Sequence, residues 1–392
     1  MRKKVCVVTG TRAEYGLLKP LIEKVNQAAE LELQLIATGM HLSPEFGLTY
    51  KEIERDGYPI TAKVEMLLSS DTAVGITKSM GVAMLGFADC FALNQPDLVV
   101  ILGDRYEMLM AASAAMVAKI PIAHIHGGEL TEGIIDEAIR HSITKMSHIH
   151  FTATEEYRRR VIQLGEQPQT VYNVGALGIE NIRNMKLLDQ ETLEKQIDFK
   201  FSGRTIMVTY HPVTFEDCSS EKQFQDILDV INDHPEWSVI FTKANSDMDG
   251  RIINQMIDAY AGNHAKRCAA YTSLGQLRYL SALQFCSAVV GNSSSGIIEV
   301  PSFGIPTVNI GNRQKRRMHA ESVINCGNDK VQIDAAIRTA LSEDFKQRLT
   351  GIGNPYEGEH TSEKMLSVII QALDDGIDVR KKFFDVRENF SL

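Results

Sequence analysis

A repeated alternation of buried-type strands with helical segments constrains this 392-residue chain more than any other feature. Leu98-Val-Val-Ile-Leu102 is a continuous run of large apolar residues that ends at Gly103. A strand of that kind is covered on both faces, as in a parallel sheet. Similar runs predict strands at residues 5–8, 31–37, 98–102, 121–126, 148–152, 170–174, 205–210, 238–242, 288–290 and 307–310. Because helical segments separate these runs, the order predicts parallel sheets with helices on both faces.

The helical segments and one pause in the alternation predict how the chain is divided. Helices are predicted at residues 14–29, 72–93, 106–118, 135–146 and 251–260, at 281–287 and from about 361. Residues 179–203 are polar and helical without an apolar strand, and the alternation then restarts. A chain of this length also exceeds one typical core. We therefore predict an α/β fold of two Rossmann-like, doubly wound parallel-sheet domains with a cleft between them. The predicted divisions are residues 1–178, a connector at 179–203, residues 204–362, and a C-terminal helix at 363–392.

Composition and charge exclude several classes of protein. The net charge of −9 argues against a nucleic-acid partner, and the Lys315-Arg316-Arg317 triplet with Arg313 suits one anion better than a polymer. No apolar run approaches the roughly 18 residues of a membrane span, and the N-terminus reads as a first strand. The cysteines at 6, 90, 218, 268, 286 and 326 are scattered without a Cys-x-x-Cys pair. This spacing predicts neither a zinc site nor disulfides. We expect a cytoplasmic protein without a membrane partner.

Polar residues directly after strands are the candidates for a ligand site. Ligands of doubly wound sheets bind beyond the carboxyl ends of the strands. The residues in these positions come from both halves of the chain, so a cleft between two domains would gather them. They are Arg12, His41, Asp104, Arg105, His126, Glu129, His211, Ser293, Ser294 and Arg313.

The segment Gly291-Asn-Ser-Ser-Ser-Gly-Ile-Ile-Glu299 has two interpretations. It follows a short apolar strand and leads into residues with helix-forming character. A helix that begins with exposed N–H groups and serine hydroxyls can bind an anion, and Glu299 could accept hydrogen bonds from a ribose. The alternative is an ordinary serine-capped helix.

Carboxylates at neighbouring strand ends could divide acid and base roles. Asp104 and Glu129 follow two successive strands, and Asp136 begins a helix with Arg140 four residues later. Carboxyl groups in such a cluster can have their pKa values pushed apart. For Asp136 and Arg140 the alternative is an exposed i,i+4 ion pair worth about 0.2–0.5 kcal/mol. His211, at the first strand end of the second half, is a further site candidate, although a capping or core role is the alternative.

Two other chemistries are not supported by the sequence. The first strand–helix turn, Gly10-Thr-Arg-Ala-Glu-Tyr-Gly16, lacks both the dinucleotide fingerprint and the P-loop lysine, so no redox cofactor is expected. The pairs His124/His126 and His148/His150 could each share one face of a strand and bind a metal. Because the sequence places no third ligand beside either pair, we predict no metal site.

These motifs together resemble the UDP-N-acetylglucosamine 2-epimerase family. Within that family the chain is most similar to the hydrolysing branch, which makes N-acetylmannosamine and UDP for sialic-acid synthesis. The resemblance spans nearly the whole chain and is carried by Gly10-Thr-Arg-Ala-Glu-Tyr15, Gly103-Asp-Arg105, Gly127-Gly-Glu129, Ile139-Arg-His-Ser-Ile-Thr-Lys145, His211-Pro-Val-Thr214, Gly291-Asn-Ser-Ser-Ser-Gly296 with Glu299, and Gly311-Asn-Arg-Gln314. It implies a glycosyltransferase-B-like fold, a final helix that packs back on the first domain, and a homodimer or homotetramer.

The resemblance also implies three groups of site residues. One group holds the phosphates and ribose of UDP: Ser293, Ser294 and Glu299. A second group neutralises the diphosphate, as leaving-group stabilisation requires: Arg12, Arg105 and Arg313. A third group lines the sugar site: Asp104, Asp136, Arg140 and His211.

One position departs from the wider family. Non-hydrolysing members tend to have a glutamate where this chain has His126, which favours the hydrolysing branch. That branch includes members that act on a UDP-linked diacetamido-trideoxyhexose. The acid/base role then belongs to His126, to Glu129 or to neither. The implied reaction is elimination of UDP to a 2-acetamidoglucal, followed by hydration with protonation on the opposite face of carbon 2.

Three other functions remain as alternatives from the sequence. A glycosyltransferase of the same architecture would require an acceptor, and a non-hydrolysing epimerase would not release UDP. A nucleotide-sugar sensor would bind without turnover. The sugar's substituents are also left open, because loops such as residues 42–49 and 67–77 would contact them.

Overall fold

The computed structural model describes residues 2–131, 134–213, 219–244 and 250–386, and its first half contains a seven-stranded parallel sheet. The strands are β1 (Lys3–Thr9), β2 (Leu31–Thr38), β3 (Ala62–Val64), β4 (Leu98–Leu102), β5 (Ile122–Ile125), β6 (Ile149–Thr152) and β7 (Val171–Asn173). Their spatial order is β3-β2-β1-β4-β5-β6-β7. The order reverses between β1 and β4, so the sheet is doubly wound and opens a crevice at the carboxyl ends of these two strands.

The second half repeats this design with a six-stranded parallel sheet. The strands are β8 (Thr205–Thr209), β9 (Ser238–Thr242), β10 (Cys268–Tyr271), β11 (Ala288–Gly291), β12 (Thr307–Ile310) and β13 (Val323–Cys326). Their order is β10-β9-β8-β11-β12-β13, which reverses between β8 and β11. The predicted pair of doubly wound parallel sheets is therefore confirmed.

Three strands, β3, β10 and β13, were not predicted, and all three lie at sheet edges. Only the last residue of β3 is buried, and only the first residue of β10 and of β13. An edge strand has one free side and needs no continuous apolar run, so the pattern that identifies central strands is weak there.

Helices cover both faces of each sheet. They are α1 (Arg12–Gln27), α2 (Tyr50–Arg55), α3 (Ala73–Asn94), α4 (Tyr106–Val117), α5 (Asp136–Met146), α6 (Glu155–Gln163), α7 (Leu177–Asn184), α8 (Gln190–Ile197), α9 (Ser220–Asp233), α10 (Gly250–Asn263), α11 (Gly275–Leu283), α12 (Ser294–Ile298), α13 (Lys330–Ala340), α14 (Glu343–Arg348) and α15 (Thr361–Asp375). The connector predicted at 179–203 contains most of α7 and all of α8. The exact domain divisions stay a prediction.

The final helix returns to the first sheet. Met365, Ile369 and Leu373 of α15 are buried in the same core as the apolar face of α1. The chain therefore starts and ends its ordered core in one half of the molecule.

One helix is both long and apolar. Within the described residues, α3 is long and apolar enough to cross a membrane by length and composition, with a mean hydropathy of 1.3 in its most apolar window. The expectation concerned an uninterrupted apolar run, and α3 contains Lys78 and Asp89 within its length. A third of that window is buried inside the fold, and buried core helices meet the same criteria.

Candidate active site

A cavity of about 350 Å³ lies between the two sheets, at the carboxyl ends of their central strands. Its wall contains eleven of the thirteen residues predicted for the site: Arg12, Asp104, Arg105, His126, Glu129, Asp136, His211, Ser293, Ser294, Glu299 and Arg313. Of the other two, Arg140 is fully buried behind Asp104, and His41 is buried away from the cavity wall. The two switch points of the sheets thus bring residues nearly two hundred positions apart to one cleft.

Arg140 organises the carboxylate side of the cavity. It forms an ion pair with Asp104 and donates hydrogen bonds to the carbonyl of Glu129 at 2.8 Å and to the hydroxyl of Thr131 at 2.8 Å. Burial raises the pKa of Asp104, but the charges of Arg140, Arg317 and Arg313, with the hydrogen bond from Arg140, together outweigh burial and hold that pKa below its usual range. Asp104 is therefore an ionised carboxylate at neutral pH.

The predicted alternative for α5, an exposed pair of Asp136 with Arg140, is wrong. Arg140 pairs instead with Glu137, at 2.7 Å, and with Asp104. Asp136 points across the cleft, and its Oδ2 lies 3.9 Å from Nη2 of Arg313. Glu137 lies one helical turn before Arg140 on α5, whereas the fold brings Asp104 to the completely buried Arg140 from the end of β4.

His126 and Glu129 form a second cluster at the end of β5. His126 has a left-handed backbone with φ of 66°. Its Nδ1 lies 3.7 Å from Oε1 of Glu129, and the other carboxylate oxygen of Glu129 binds Nη2 of Arg317 at 2.6 Å. Burial lowers the pKa of His126, with Glu129 opposing the shift, so the imidazole is neutral at neutral pH.

Three polar atoms of this cluster have no hydrogen-bond partner among the described residues. They are Nε2 of His126, Oε1 of Glu129 and Nη1 of Arg317. Buried polar groups are normally satisfied, and unsatisfied ones in a cavity wall mark places for ligand or water atoms. This corner of the cavity can therefore hold a polar ligand group.

His211 is held by its backbone. The side chain of Asn292 accepts a hydrogen bond from the N–H of His211 and donates one to its carbonyl, both at 2.7 Å. Gly291, the residue before Asn292, has φ of +136° and lies against the backbone of Thr209, so that a Cβ atom at this position would collide with it. Only glycine fits this close approach of β11 to β8, so Gly291 and Asn292 together fix His211 at the cavity.

The serine segment caps a helix that is shorter than predicted. Ser293 caps α12, and its hydroxyl accepts from the N–H of Ser295. α12 contains five residues, and Glu299 lies just after its end. Burial raises the pKa of Glu299, with a hydrogen bond from Ser295 opposing the shift. The capped-helix and site interpretations are compatible, because Ser293, Ser294 and Glu299 all line the cavity.

The three arginines that were predicted to neutralise the diphosphate each contact other groups of the protein. Arg12 forms an ion pair with Glu52 at 2.6 Å and donates to the carbonyl of Ser273 across the cleft. Arg105 pairs with the buried Glu107 at 2.6 Å. Arg313 donates to the carbonyl of Asn292 at 3.0 Å. An anionic ligand would therefore bind beside ion pairs that are already formed.

Several residues in the wall were not predicted as site residues. Arg317 belonged to a triplet interpreted as suiting one anion, whereas its guanidinium binds the protein's own Glu129. Others include Lys243, which directly follows the predicted strand 238–242, and Gln276 and Tyr279, which follow no predicted strand. His41, by contrast, was a candidate and is fully buried between Thr9 and Thr49, at 3.0 Å and 2.8 Å. Thr214, Cys218 and the tail from residue 387 lie outside the described residues.

Comparison with known proteins identifies the family. The sequence profile described as UDP-N-acetylglucosamine 2-epimerase matches residues 23–370. The chain belongs to this family.

Relatives in the UDP-N-acetylglucosamine 2-epimerase family match over nearly the full length. A "GDP/UDP-N,N'-diacetylbacillosamine 2-epimerase (hydrolyzing)" of Campylobacter jejuni is 41% identical and is aligned over 98% of this chain and 100% of its own. "Polysialic acid biosynthesis protein P7" of Escherichia coli is 37% identical, with 98% of each chain covered. A "UDP-N,N'-diacetylbacillosamine 2-epimerase (hydrolyzing)" of Legionella pneumophila is 35% identical over 94% of this chain and 96% of its own.

Solved structures of the family share the fold. The crystal structure of a protein from Listeria monocytogenes titled as a UDP-N-acetylglucosamine 2-epimerase has a TM-score of 0.78 at 18% identity, covering 98% of this chain and 100% of its own. The Neisseria meningitidis enzyme bound to UDP-GlcNAc has a TM-score of 0.76 at 16% identity, covering 94% and 100%. The predicted glycosyltransferase-B-like fold is confirmed.

Proposed function

We propose that the chain is a hydrolysing 2-epimerase that converts UDP-N,N'-diacetylbacillosamine and water to UDP and the 2-epimeric diacetamido-trideoxyhexose. One observation carries the reaction type: carboxylates of the first sheet, Asp104 and Asp136, face an arginine and serines of the second sheet across a single cavity. Two relatives with 41% and 35% identity carry the diacetylbacillosamine name, which supports this sugar over UDP-N-acetylglucosamine.

In this proposal the second sheet binds the nucleotide. Ser293 and Ser294 donate to the diphosphate, Glu299 accepts from the ribose hydroxyls, and Arg313 balances the phosphate charge. Arg12 and Arg105 add positive potential from the first sheet. Charge on the departing diphosphate grows in the transition state, so donors fixed in advance at its oxygens lower the barrier.

The first sheet carries out the proton transfers. The bond from the anomeric carbon to UDP breaks with its electron pair, and the proton on carbon 2 becomes acidic as positive charge develops beside it. A carboxylate then removes that proton, and the electrons of the C–H bond form the C1=C2 double bond of the glycal. Asp104, held ionised by Arg140, and Asp136 suit this step, and a positioned base contributes roughly 10²–10⁴-fold.

Hydration completes the reaction. Water adds its oxygen to carbon 1, and a proton returns to carbon 2 from the opposite face, which inverts that centre. His126 or Glu129 supplies this proton transfer, with His211 beside the sugar or diphosphate. No electrons are gained or lost overall, so the sequence of steps requires no redox cofactor.

A time course by NMR in deuterated water tests the reaction. With UDP-N,N'-diacetylbacillosamine we expect free UDP and a free sugar that carries deuterium at carbon 2. A product without that label would refute the elimination, and an epimerised sugar still attached to UDP would identify a non-hydrolysing enzyme. Binding without any turnover would identify a sensor, and turnover only after adding an acceptor would identify a glycosyltransferase.

The second candidate substrate is UDP-N-acetylglucosamine. A Neisseria meningitidis relative named as a UDP-N-acetylglucosamine 2-epimerase is 31% identical over 98% of this chain. The NMR time course is repeated with UDP-N-acetylglucosamine and with a GDP-linked diacetamido sugar. The kcat/KM values then rank these two substrates and UDP-N,N'-diacetylbacillosamine. A higher kcat/KM for UDP-N-acetylglucosamine would overturn the proposed sugar while leaving the hydrolysing reaction in place, with N-acetylmannosamine as its product.

A further inference from the structure

Glu14 is an acidic residue in the part of the cavity that is proposed to bind a diphosphate. It lies in the cavity wall with Thr11, Arg12 and Arg105, and it is only 8% exposed. An ionised carboxylate at this position would repel the phosphates of a nucleotide, and burial would leave that repulsion poorly screened. A diphosphate therefore binds here most favourably when Glu14 carries no charge.

The hydrogen bonds of Glu14 occupy one of its two carboxylate oxygens. Oε2 accepts hydrogen bonds from the backbone N–H groups of Gly10 at 2.8 Å and Thr11 at 3.1 Å, as in a capping box at the start of α1. Oε1 accepts none from the described residues. A proton on Oε1 would leave both N–H contacts in place, because Oε2 remains an acceptor in the neutral acid. It would also give the cavity wall a new donor for a phosphate oxygen.

A second buried carboxylate, Glu107, lies beside Gly10. It is 1% exposed, and a Cβ atom at Gly10 would lie 2.7 Å from its Oε1. That oxygen binds Nε of Arg105 at 2.6 Å, while Oε2 of Glu107 is buried without a hydrogen-bond partner among the described residues. Glu107 therefore offsets the positive charge of Arg105 that could otherwise stabilise an ionised Glu14.

The other charged or titratable groups near the first turn do not supply a counter-ion. Arg12, two residues earlier on α1, forms an ion pair with Glu52 at 2.6 Å, and the charge of Arg278 on α11 acts on Arg12 as well. His41, in the turn after β2, donates its backbone N–H to the carbonyl of Gly10. Burial lowers the pKa of the His41 imidazole to about 4, so this ring is neutral at and above neutral pH.

Burial also favours the protonated form of Glu14. It is the main cause that raises the pKa of this carboxyl from 4.5 to about 8, and the charge of Glu107 adds to the effect. The charge of Arg105 and the two N–H contacts oppose it. Glu14 thus changes its charge close to neutral pH, where the negative charge of a bound diphosphate can decide its protonation state.

We propose that Glu14 is a further binding residue of the diphosphate site and that it takes up a proton when the diphosphate binds. The proton comes from solvent and adds to Oε1, and the resulting O–H donates to a phosphate oxygen. No covalent bond of the nucleotide forms or breaks in this step. Because UDP is taken as the ligand of the cavity, this role of Glu14 rests on the proposed function.

Calorimetry of UDP binding to the full chain measures the proton directly. Titrations at about pH 8.5 in buffers of different ionisation enthalpy give the number of protons taken up for each UDP bound. The phosphates of UDP are already ionised at this pH, so they release no proton of their own. A group with a pKa of about 8 is roughly three-quarters ionised at about pH 8.5, so we expect an uptake approaching about 0.75 proton. The affinity for UDP should accordingly fall by up to about 10-fold from pH 7 to pH 9.

Three variants assign the proton to its residue. Glu14→Gln has the shape of the neutral acid and cannot titrate, so it should bind UDP without proton uptake and without the fall in affinity towards pH 9. Glu23→Gln is the matched control, because Glu23 is exposed on the same helix, and it should behave as wild type. Glu107→Gln should keep the uptake but move it to lower pH, because the charge that helps to raise the pKa of Glu14 is lost.

The outcomes separate this proposal from the proposed function. UDP binding without proton uptake in wild type, or uptake that persists in Glu14→Gln, would overturn the role of Glu14 and leave the proposed function in place. If Glu14→Gln does not fold, the pH dependence of Glu107→Gln decides, since an unchanged dependence would contradict titration at Glu14. A wild-type chain that does not bind UDP would refute the proposed function and this role together.

Discussion

The ion pair between Arg317 and Glu129 allows the sharpest quantitative prediction. The two side chains are 5% and 4% exposed, and they join the two sheets through a contact of 2.6 Å. The charge of Glu129 raises the pKa of Arg317 against the lowering effect of burial. Arg317 also donates to the carbonyl of Leu130 at 2.9 Å. Solvent and salt screen a pair that is this deeply buried much less than they screen a surface pair.

Arg317→Leu removes one partner and leaves the carboxylate of Glu129 buried beside apolar atoms. Breaking a buried pair in this way costs about 3–5 kcal/mol. We expect that loss in the free energy of unfolding, measured by urea denaturation and followed by the fluorescence of Trp237, the chain's only tryptophan. Arg159→Leu is the control, because Arg159 is 79% exposed and its surface pair with Glu155 spans 3.8 Å, so stability should change by less than about 0.5 kcal/mol.

The double variant Glu129→Leu/Arg317→Leu distinguishes an ion pair from simple packing. Without an unpaired charge, it should recover at least about 2 kcal/mol relative to the sum of the single changes. Additive single effects, or a loss below about 1 kcal/mol for Arg317→Leu, would contradict the assignment of Arg317 as the partner that positions Glu129.

Three further predictions concern the cavity and the first turn. Asp104→Asn should lower kcat by about 10²–10⁴-fold while leaving the affinity for UDP, measured by calorimetry, within about threefold of wild type. Glu299→Gln should raise KM by roughly 10-fold with little change in kcat, because the ribose contact is equally strong in substrate and transition state. Burial, with the nearby Glu107, raises the pKa of Glu14 to about 8 from an ordinary value of 4.5. The stability that Glu14 contributes through its raised pKa is therefore fully present below pH 4.5 and is lost as the pH rises towards 8. The free energy of unfolding of Glu14→Gln should therefore increase relative to that of wild type by on the order of 1 kcal/mol per pH unit across this window. The control Glu23→Gln, at an exposed position, should show no such trend.

The central strands and the strand-end residues could be predicted because the same physical rule produces both. A strand such as β4 is buried on both faces, so it must be apolar throughout. Polar side chains can appear only after the strand ends, and Asp104 is the first of them. Counting strand ends therefore located Asp104 and Ser293 without any knowledge of their contacts.

The partners of those residues could not be predicted in this way. Helical spacing predicted Asp136 as the ion-pair partner of Arg140, but the fold brings Asp104, just after the end of β4, into contact with Arg140. Arg317 follows a loop after β12, and nothing in its local sequence indicates a carboxylate 188 positions earlier. The first pair depends on how α5 packs beside the end of β4, and the second on how the two sheets meet. Both are properties of the tertiary structure.

The return of α15 to the first sheet also constrains the order in which the chain can fold. Its residues Met365, Ile369 and Leu373 complete a core that begins with β1. At a synthesis rate of about 5–20 residues per second, α15 emerges roughly 10 to 40 s after β7. During that interval the first sheet lacks part of its cover, and the second sheet acquires all its strands, the last of which ends at Cys326, before α15 is made. The second half can thus finish folding before the first, although it is made later.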